Sequence, residues 1–289
     1  MKRRNFLKAS AALVGAPLVS SLLFGEQTEA RPTRQWYKGI KIGMIDKNLS
    51  DREKFELAKK CGFDGIDGIV LKDISTAKAQ AKLAKDIGVP IHGLVYGWAS
   101  LGDTDKKKVQ KNISDIEHSL RCANAMGCDT VLVVPAIVTE KISYDDAYKR
   151  SQDHLAKLIP TAEALGVTIA IENVWNKFLL SPLEFARYLD EFKSPWVRAY
   201  FDAGNVIIYG FAQHWIRTLA ERIIKIDLKD FQRNGYKWKN LLDGDVNWPD
   251  VTKALDEIRF AGFMTAEVGG GDQEYLADLS KRMDKIISL

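Results

Sequence analysis

Eight short β-rich runs, each followed by a stretch of helical pattern, limit the folds open to this chain more than any other feature. The runs are Ile40–Ile45, Gly65–Val70, Ile91–Val95, Thr130–Val134, Thr168–Ile171, Val197–Phe201, Ile223–Ile226 and Phe263–Ala266. The stretches between them carry helical spacing and helical end signals. Val109, Ile113, Ile116, Leu120, Ala123 and Met126 recur at intervals of three and four, one apolar helix face. Ser50-Asp51-Arg52-Glu53 and Ser181-Pro182-Leu183-Glu184 read as capping boxes, the second with proline at the first helical position. Gly62 and Gly127 fall just past helices, where a left-handed residue ends a helix at little cost. Eight βα units in roughly 260 residues predict an α/β chain folded as a single (β/α)8 TIM barrel. A doubly wound sheet is the alternative, but its first strand would feed a glycine-rich phosphate turn. Here that strand runs into Met44-Ile45-Asp46-Lys47.

The barrel is expected to occupy residues 31–289, because the first 30 read as something else. Basic residues open the chain, an apolar run extends from about Ala11 to Phe24, and a polar stretch ends at Ala30. That is the layout of a signal peptide. Arg3-Arg4 followed by Phe6-Leu7-Lys8 resembles the twin-arginine export motif. The expected location is periplasmic, with no stable membrane association after cleavage.

Composition removes several classes. A net charge of +4 from 42 basic and 38 acidic residues, with no basic tract, argues against a nucleic-acid partner. Three cysteines without a CxxC support neither a disulfide framework nor a cysteine zinc site. Hydrophobic residues make up 46%, enough for an ordinary globular core. Nothing fixes the oligomeric state, and a homo-oligomer is compatible with the sequence.

In a barrel of this kind the site lies at the C-terminal ends of the strands. Strand five ends in Ile171-Glu172-Asn173, strand six in Phe201-Asp202-Ala203-Gly204-Asn205. Strand seven continues as Ile226-Asp227-Leu228-Lys229-Asp230, and strand eight ends in Ala266-Glu267. Strand side chains alternate, so with Ile169 and Ile171 toward the helices Glu172 points into the mouth. Phe263, Thr265 and Glu267 share a face, as do Lys225, Asp227 and Lys229. Clustered carboxylates repel unless a cation sits among them. Glu172, Asp202, Asp227 and Glu267 are therefore candidate metal ligands. Four oxygen donors without cysteine favour one hard divalent ion, Mn²⁺ or Mg²⁺.

The segments CGFDGID, IENVWNKFLLSP, FDAGN, DLKD, LLDGDVNWPDV and MTAEVGGGD, each at its expected strand, resemble the xylose isomerase-like barrel superfamily. The resemblance covers residues 38–286 and is nearest to the sugar (phosphate) isomerase/epimerase branch. It implies one divalent metal on Glu172, Asp202, Asp227 and Glu267. Asp227 departs from the branch, which usually has histidine there in the motif HxKD. Asn205 stands where several epimerases have a substrate-contacting histidine, and Arg233 near an arginine that binds substrate hydroxyls.

The resemblance implies an isomerase or epimerase that passes through an enediolate, with Glu172 and Glu267 as acid and base on its two faces. Lys229 is a candidate to stabilise that intermediate, or else an ion-pair partner of Asp230 or Asp202. A lyase or dehydratase using the same site and a non-catalytic sugar-binding barrel are the alternatives. His92 is either a substrate contact or a core histidine. Trp98 and Trp175 follow strands three and five and are candidate walls for the apolar face of a carbohydrate substrate. No glycine-rich loop opening onto a helix N-terminus stands out to cradle phosphate. With export, this points to a non-phosphorylated sugar or sugar-derived keto compound.

Overall fold

The computed structural model describes residues 34–289, so the expected signal segment 1–30 lies outside the described residues. The eight main strands are β1 (Trp36–Lys41), β2 (Gly65–Ile69), β3 (Ile91–Trp98), β4 (Thr130–Val134), β5 (Thr168–Glu172), β6 (Val197–Asp202), β7 (Ile223–Leu228) and, after a hairpin, β10 (Gly262–Ala266). All pair in parallel, and β1 closes the ring by pairing with β10 on one side and β2 on the other. Helices α1 (Asp51–Lys60), α2 (Ile74–Ile87), α3 (Lys106–Met126), α4 (Tyr144–Leu155), α5 (Ile159–Leu165), α6 (Pro182–Asp190), α7 (Ala212–Leu219), α8 (Trp248–Glu257) and α9 (Gln273–Ser288) lie between and after the strands. This is the (β/α)8 barrel that the alternation predicts. Among the described residues, no helix is long and apolar enough to cross a membrane.

Local signals explain most helix ends. Ser50 and Glu53 form both bonds of a capping box at α1. At α6, Ser181 caps the Glu184 N–H, but the Glu184 carboxylate turns to the Leu180 N–H and the Tyr144 hydroxyl instead of closing a box. The six apolar residues expected on one face of α3 are all buried.

Strand β1 differs from expectation by four residues. Its pairing runs from Trp36 opposite Gly262 to Ile40 opposite Ala266, and the chain then turns as a 3₁₀ helix over Ile42–Met44. Ile42, Met44 and Ile45 stay buried in that turn, so the apolar run outlasts the strand. The shift makes Lys41, not Ile45, the last residue of β1.

The second difference is an antiparallel hairpin after β7, made of β8 (Asp230–Gln232) and β9 (Lys237–Lys239). Asp230 anchors the loop that follows. Its buried carboxylate accepts from the N–H groups of Phe231, Leu242 and Val246 and from the Trp248 indole at 3.0–3.2 Å. The barrel interior is divided. Leu132, Val134, Ala170 and Tyr200 form an apolar wedge, while Asp67, His92, Lys225, Asp227 and Thr265 form a buried polar one with the half-buried Lys41 at its edge.

Candidate metal centre

Glu172 ends β5, Asp202 ends β6, Asp227 is next to last in β7 and Glu267 follows β10. One carboxylate oxygen from each of the four lies within 4.8 Å of the others. The loops that follow fix two of them. Asn205 donates its N–H to Asp202 Oδ1 at 2.7 Å and its side-chain amide to the Asn173 carbonyl at 2.9 Å. The Asn173 side chain in turn bonds both the N–H and the carbonyl of Asp202 at 2.9 Å. The two residues after the acids therefore lock strand ends five and six together.

Two lysines share the cluster. Lys229 Nζ lies 3.0 Å from Asp202 Oδ2 and 2.9 Å from Glu267 Oε2. Lys41 Nζ lies 3.0 Å from Asp227 Oδ2 and 3.0 Å from Asp67 Oδ2. Lys41 also sits 5.1 Å from the centre of the Tyr200 ring, whose hydroxyl donates to Asp67 at 3.1 Å. Burial lowers the affinity of each ammonium for its proton, but the adjacent carboxylates outweigh it and both lysines are held above their ordinary value. Burial, reinforced by Glu267, pushes Glu172 up to about 8. Burial raises Asp227 well above the carboxylate range and raises Asp202, against the pull of Lys41 and Lys229 respectively. Burial would raise Glu267 too, but Lys41 and Lys229 reverse it.

These residues fit a hard cation. Asp227 Oδ1 is buried without a hydrogen-bond partner. Glu172 is buried and is paired with neither lysine. Five carboxylates counting Asp67 share two ammoniums, and a divalent ion would favour the ionised form of the acids that burial otherwise keeps protonated. All four converging donors are oxygens, which suits Mg²⁺ or Mn²⁺.

The other residues singled out in the sequence fall in different places. His92 lies in the barrel interior, a layer below the acids. It stacks on Phe263 at 3.9 Å and faces Lys225 and Thr265. Burial and the neighbouring ammoniums of Lys225 and Lys41 hold its pKa well below the ordinary value. Of the two readings open from the sequence, this packed environment matches the core histidine. Arg233 gives its guanidinium to the Ile207 and Gly210 carbonyls, both at 2.7 Å, and so ties the hairpin to the loop after β6. Asn205 is engaged with Asn173, as above. Trp175 stacks on Trp238 at 4.7 Å and donates to the Asn205 carbonyl at 2.8 Å. Trp98 is exposed at the end of β3. Lys229 pairs with Asp202 and Glu267 and not with Asp230.

One expectation needs correction. Gly269-Gly270-Gly271 is a glycine-rich loop that does open onto a helix N-terminus, that of α9. The Asp272 carboxylate already caps that end, accepting from the Tyr275 N–H at 3.0 Å. The glycines serve close packing. A Cβ on Gly270 would collide with the Met44 backbone, and one on Gly271 with the Tyr275 ring.

Lys41, Tyr200 and Trp238 are site residues that the sequence reading misses. Lys41 was hidden by the four-residue displacement of β1. Trp238 was hidden by the hairpin, for which Lys237-Trp238-Lys239 gives only a short alternating signal.

A profile described as Xylose isomerase-like TIM barrel matches residues 55–286. The chain belongs to that family. This xylose isomerase-like barrel is 24% identical over 250 residues to the "Putative L-ribulose-5-phosphate 3-epimerase SgbU" of Escherichia coli (strain K12), covering 80% of this chain and 87% of the relative. Among solved structures it resembles the 3-keto-D-glucoside 4-epimerase YcjR from E. coli, with TM-score 0.75 and 16% identity, over 89% of this chain and 100% of that one. It also resembles the IolI protein with a bound zinc atom, with TM-score 0.76 and 17% identity, over 87% and 98% of the two chains.

Proposed function

We propose that this xylose isomerase-like barrel is a divalent-metal-dependent sugar epimerase or isomerase. Its substrate is a non-phosphorylated sugar or sugar-derived keto compound met outside the cytoplasm. The observation that carries this reading is the convergence of Glu172, Asp202, Asp227 and Glu267 at the mouth of the barrel, with the two glutamates on strands separated by two others. When bound, a divalent ion supplies Lewis-acid polarisation of a carbonyl and its neighbouring hydroxyl. The protein's own part is proton transfer. Glu172 and Glu267 flank the substrate, one removing the proton beside the carbonyl and the other returning it from the opposite side. Return to the opposite face of the same carbon is epimerisation. Return to the former carbonyl carbon is aldose–ketose isomerisation. Lys229 places its ammonium where negative charge develops on the enediolate oxygens.

The printed activities of the relatives, an L-ribulose-5-phosphate 3-epimerase and a 3-keto-D-glucoside 4-epimerase, support sugar epimerisation and divide on phosphate. Two features favour the non-phosphorylated side. Asp272 takes the N-terminus of α9, and Arg233 is spent on backbone carbonyls. The Arg3-Arg4 segment supports work outside the cytoplasm.

The test is solvent-deuterium exchange into a panel of aldoses, ketoses and keto-glycosides with Mn²⁺. Exchange at a carbon beside the carbonyl, lost in Glu172→Gln and in Glu267→Gln, is the expected result. Loss of a β-substituent would make the protein a lyase, and saturable binding without exchange a receptor. A tenfold preference in kcat/KM for a sugar phosphate over its free sugar, about 1.4 kcal/mol of transition-state binding, would overturn the substrate half of the reading.

A further inference from the structure

A second cavity, of about 550 Å³, opens beside the acid cluster on the same face of the barrel. Trp175, Leu180, Val206, Ile208, Tyr209 and Tyr236 line it, and Lys177 is its one charged residue. Its walls are fixed by the protein's own contacts. The Trp175 indole is held by the Asn205 carbonyl, and Arg233 ties down Ile207 and Gly210. Asn176 clamps the loop after β5 by bonds to Ala136 and Phe178 at 2.8 and 3.2 Å. In the same loop Lys177 and Leu179 are held at φ of 59° and 54°, a left-handed backbone that non-glycine residues adopt at a cost.

The chemistry of this cavity does not suit a sugar ring alone. Hydroxyls need polar partners on every side, and here Asn173, Ser181 and Asn205 are outweighed by aromatic and aliphatic walls. Tyr209 is 91% exposed, Leu180 62% and Tyr236 61%, so large apolar surface stands ready in water. Flat rings bury such surface well and gain further from offset or edge-on contact with other rings. The cavity is also within reach of the acids. Trp175 is three residues beyond Glu172 and Asn205 three beyond Asp202. Three Cα steps of 3.8 Å put that wall within about 11 Å of the strand ends. One sugar ring and its glycosidic bond fit inside that upper bound.

We propose that this cavity is an aglycone subsite and that the substrate is a keto-glycoside, with its carbonyl on the sugar ring, whose aglycone is aromatic or otherwise flat and apolar. The sugar part occupies the acid cluster, and Trp175 is the wall common to both. The proposal rests on the sugar-epimerase reading for the reaction, while its binding half is tested apart from catalysis. Calorimetric titration with phenyl β-D-glucoside and methyl β-D-glucoside, in Mn²⁺, compares the parent with the Leu180→Ser/Tyr209→Ala double variant. Both residues are exposed, so the fold tolerates the change. The phenyl glucoside is expected to bind at least tenfold tighter than the methyl glucoside to the parent, and less than threefold tighter to the double variant.

Equal affinity of the parent for both probes would overturn the proposal. So would a preference that survives the double variant. So would sedimentation showing a parent dimer that the double variant dissolves, since the apolar face would then belong to a second copy. Repeating the titration on Glu172→Gln separates the two readings. A phenyl preference kept there, with no deuterium exchange by the parent on any sugar, leaves the subsite standing and removes the epimerase.

Discussion

Lys41 and Lys229 make the same contact in different surroundings. Each ammonium bridges two carboxylates at about 3 Å and lies 5.1 Å from the centre of an aromatic ring. Lys41 keeps 12% of its side chain exposed, but both of its partners are enclosed. Asp67 and Asp227 have no exposed side-chain surface, and the Tyr200 hydroxyl is consumed by Asp67 and Thr265. Around Lys229, Asp202 is equally enclosed, but the other side is open. Glu267 keeps 32% of its side chain exposed, and Trp238 lines a cleft with Lys229 and Glu267. The inner lysine is a fixed counter-charge that lets an aspartate stand at the end of β7. The outer one can meet a substrate.

The largest expected effect is shared by both poles. Glu172 has neither lysine as a direct partner and sits between them. Glu172→Gln should reduce deuterium exchange by about 10²–10⁴-fold, the range for losing a positioned acid or base, and should lose tight Mn²⁺ binding with the fold intact. Mn²⁺ bound as tightly as by the parent would show that the ion, if it binds, sits elsewhere.

The two lysines should then separate by stability. Breaking a buried pair by removing one partner strands a charge and costs about 3–5 kcal/mol. Lys41→Met strands Asp67 and Asp227 together and should show that loss in urea denaturation. Lys229→Met strands one fully buried carboxylate, Asp202, where Lys41→Met strands two, and Glu267 can turn to water, so it should cost less and should act on turnover as well. Equal destabilisation by the two would erase the distinction between a fixed and a reachable ammonium.

How much of this was legible in the sequence follows the same division. The outer pole was readable because strand alternation is strict. Once the last apolar residues of β5, β6, β7 and β10 are placed, Glu172, Asp202, Asp227, Lys229 and Glu267 follow by parity. The inner pole was not, because it depends on the register of β1. Ile40, Ile42, Met44 and Ile45 are all buried, so hydrophobicity does not distinguish the strand from the turn after it. Pairing with β10 decides, and pairing is a long-range fact. The same limit applies to His92. Its position on β3 was visible, but not that Gly39 leaves room for its ring. A Cβ there would lie 2.8 Å from His92 Nε2.

Asp227 joins the two poles and gives the next test. Asp227→Asn should weaken Mn²⁺ binding about 100-fold, or roughly 2.7 kcal/mol, by removing a charged donor. Asp227→His should move preference toward Zn²⁺ or Co²⁺, since imidazole suits softer ions. Neither variant leaves Lys41 a charged partner at that position. Lys41→Met combined with Asp227→His should therefore destabilise less than the sum of the singles, with coupling in the 0.5–3 kcal/mol range for residues in contact. Strict additivity would mean that Lys41 does not act through Asp227.

The smallest effect lies below both poles, at His92. It packs against Phe263 and Thr265 of β10 and Lys225 of β7, with Lys41 of β1 also close enough to repel a proton. In the folded chain it stays neutral far below the pH at which an unfolded histidine protonates, near 6.5. Above that pH neither state carries the proton, and His92 adds no pH dependence. As pH falls through it the unfolded chain takes up a proton that the folded chain refuses, so stability is lost. The slope approaches 1.4 kcal/mol per pH unit, or about 2 kcal/mol between pH 7 and pH 5. Carboxylates add their own slopes in that interval, so the measurement is a difference. Urea denaturation of the parent and of His92→Asn at pH 7, 6 and 5 should give curves that converge by about that amount as pH falls, whatever packing energy the substitution removes at pH 7. Parallel curves would mean that His92 takes a proton in the folded barrel, and the enclosed side of the comparison would then be open to water after all.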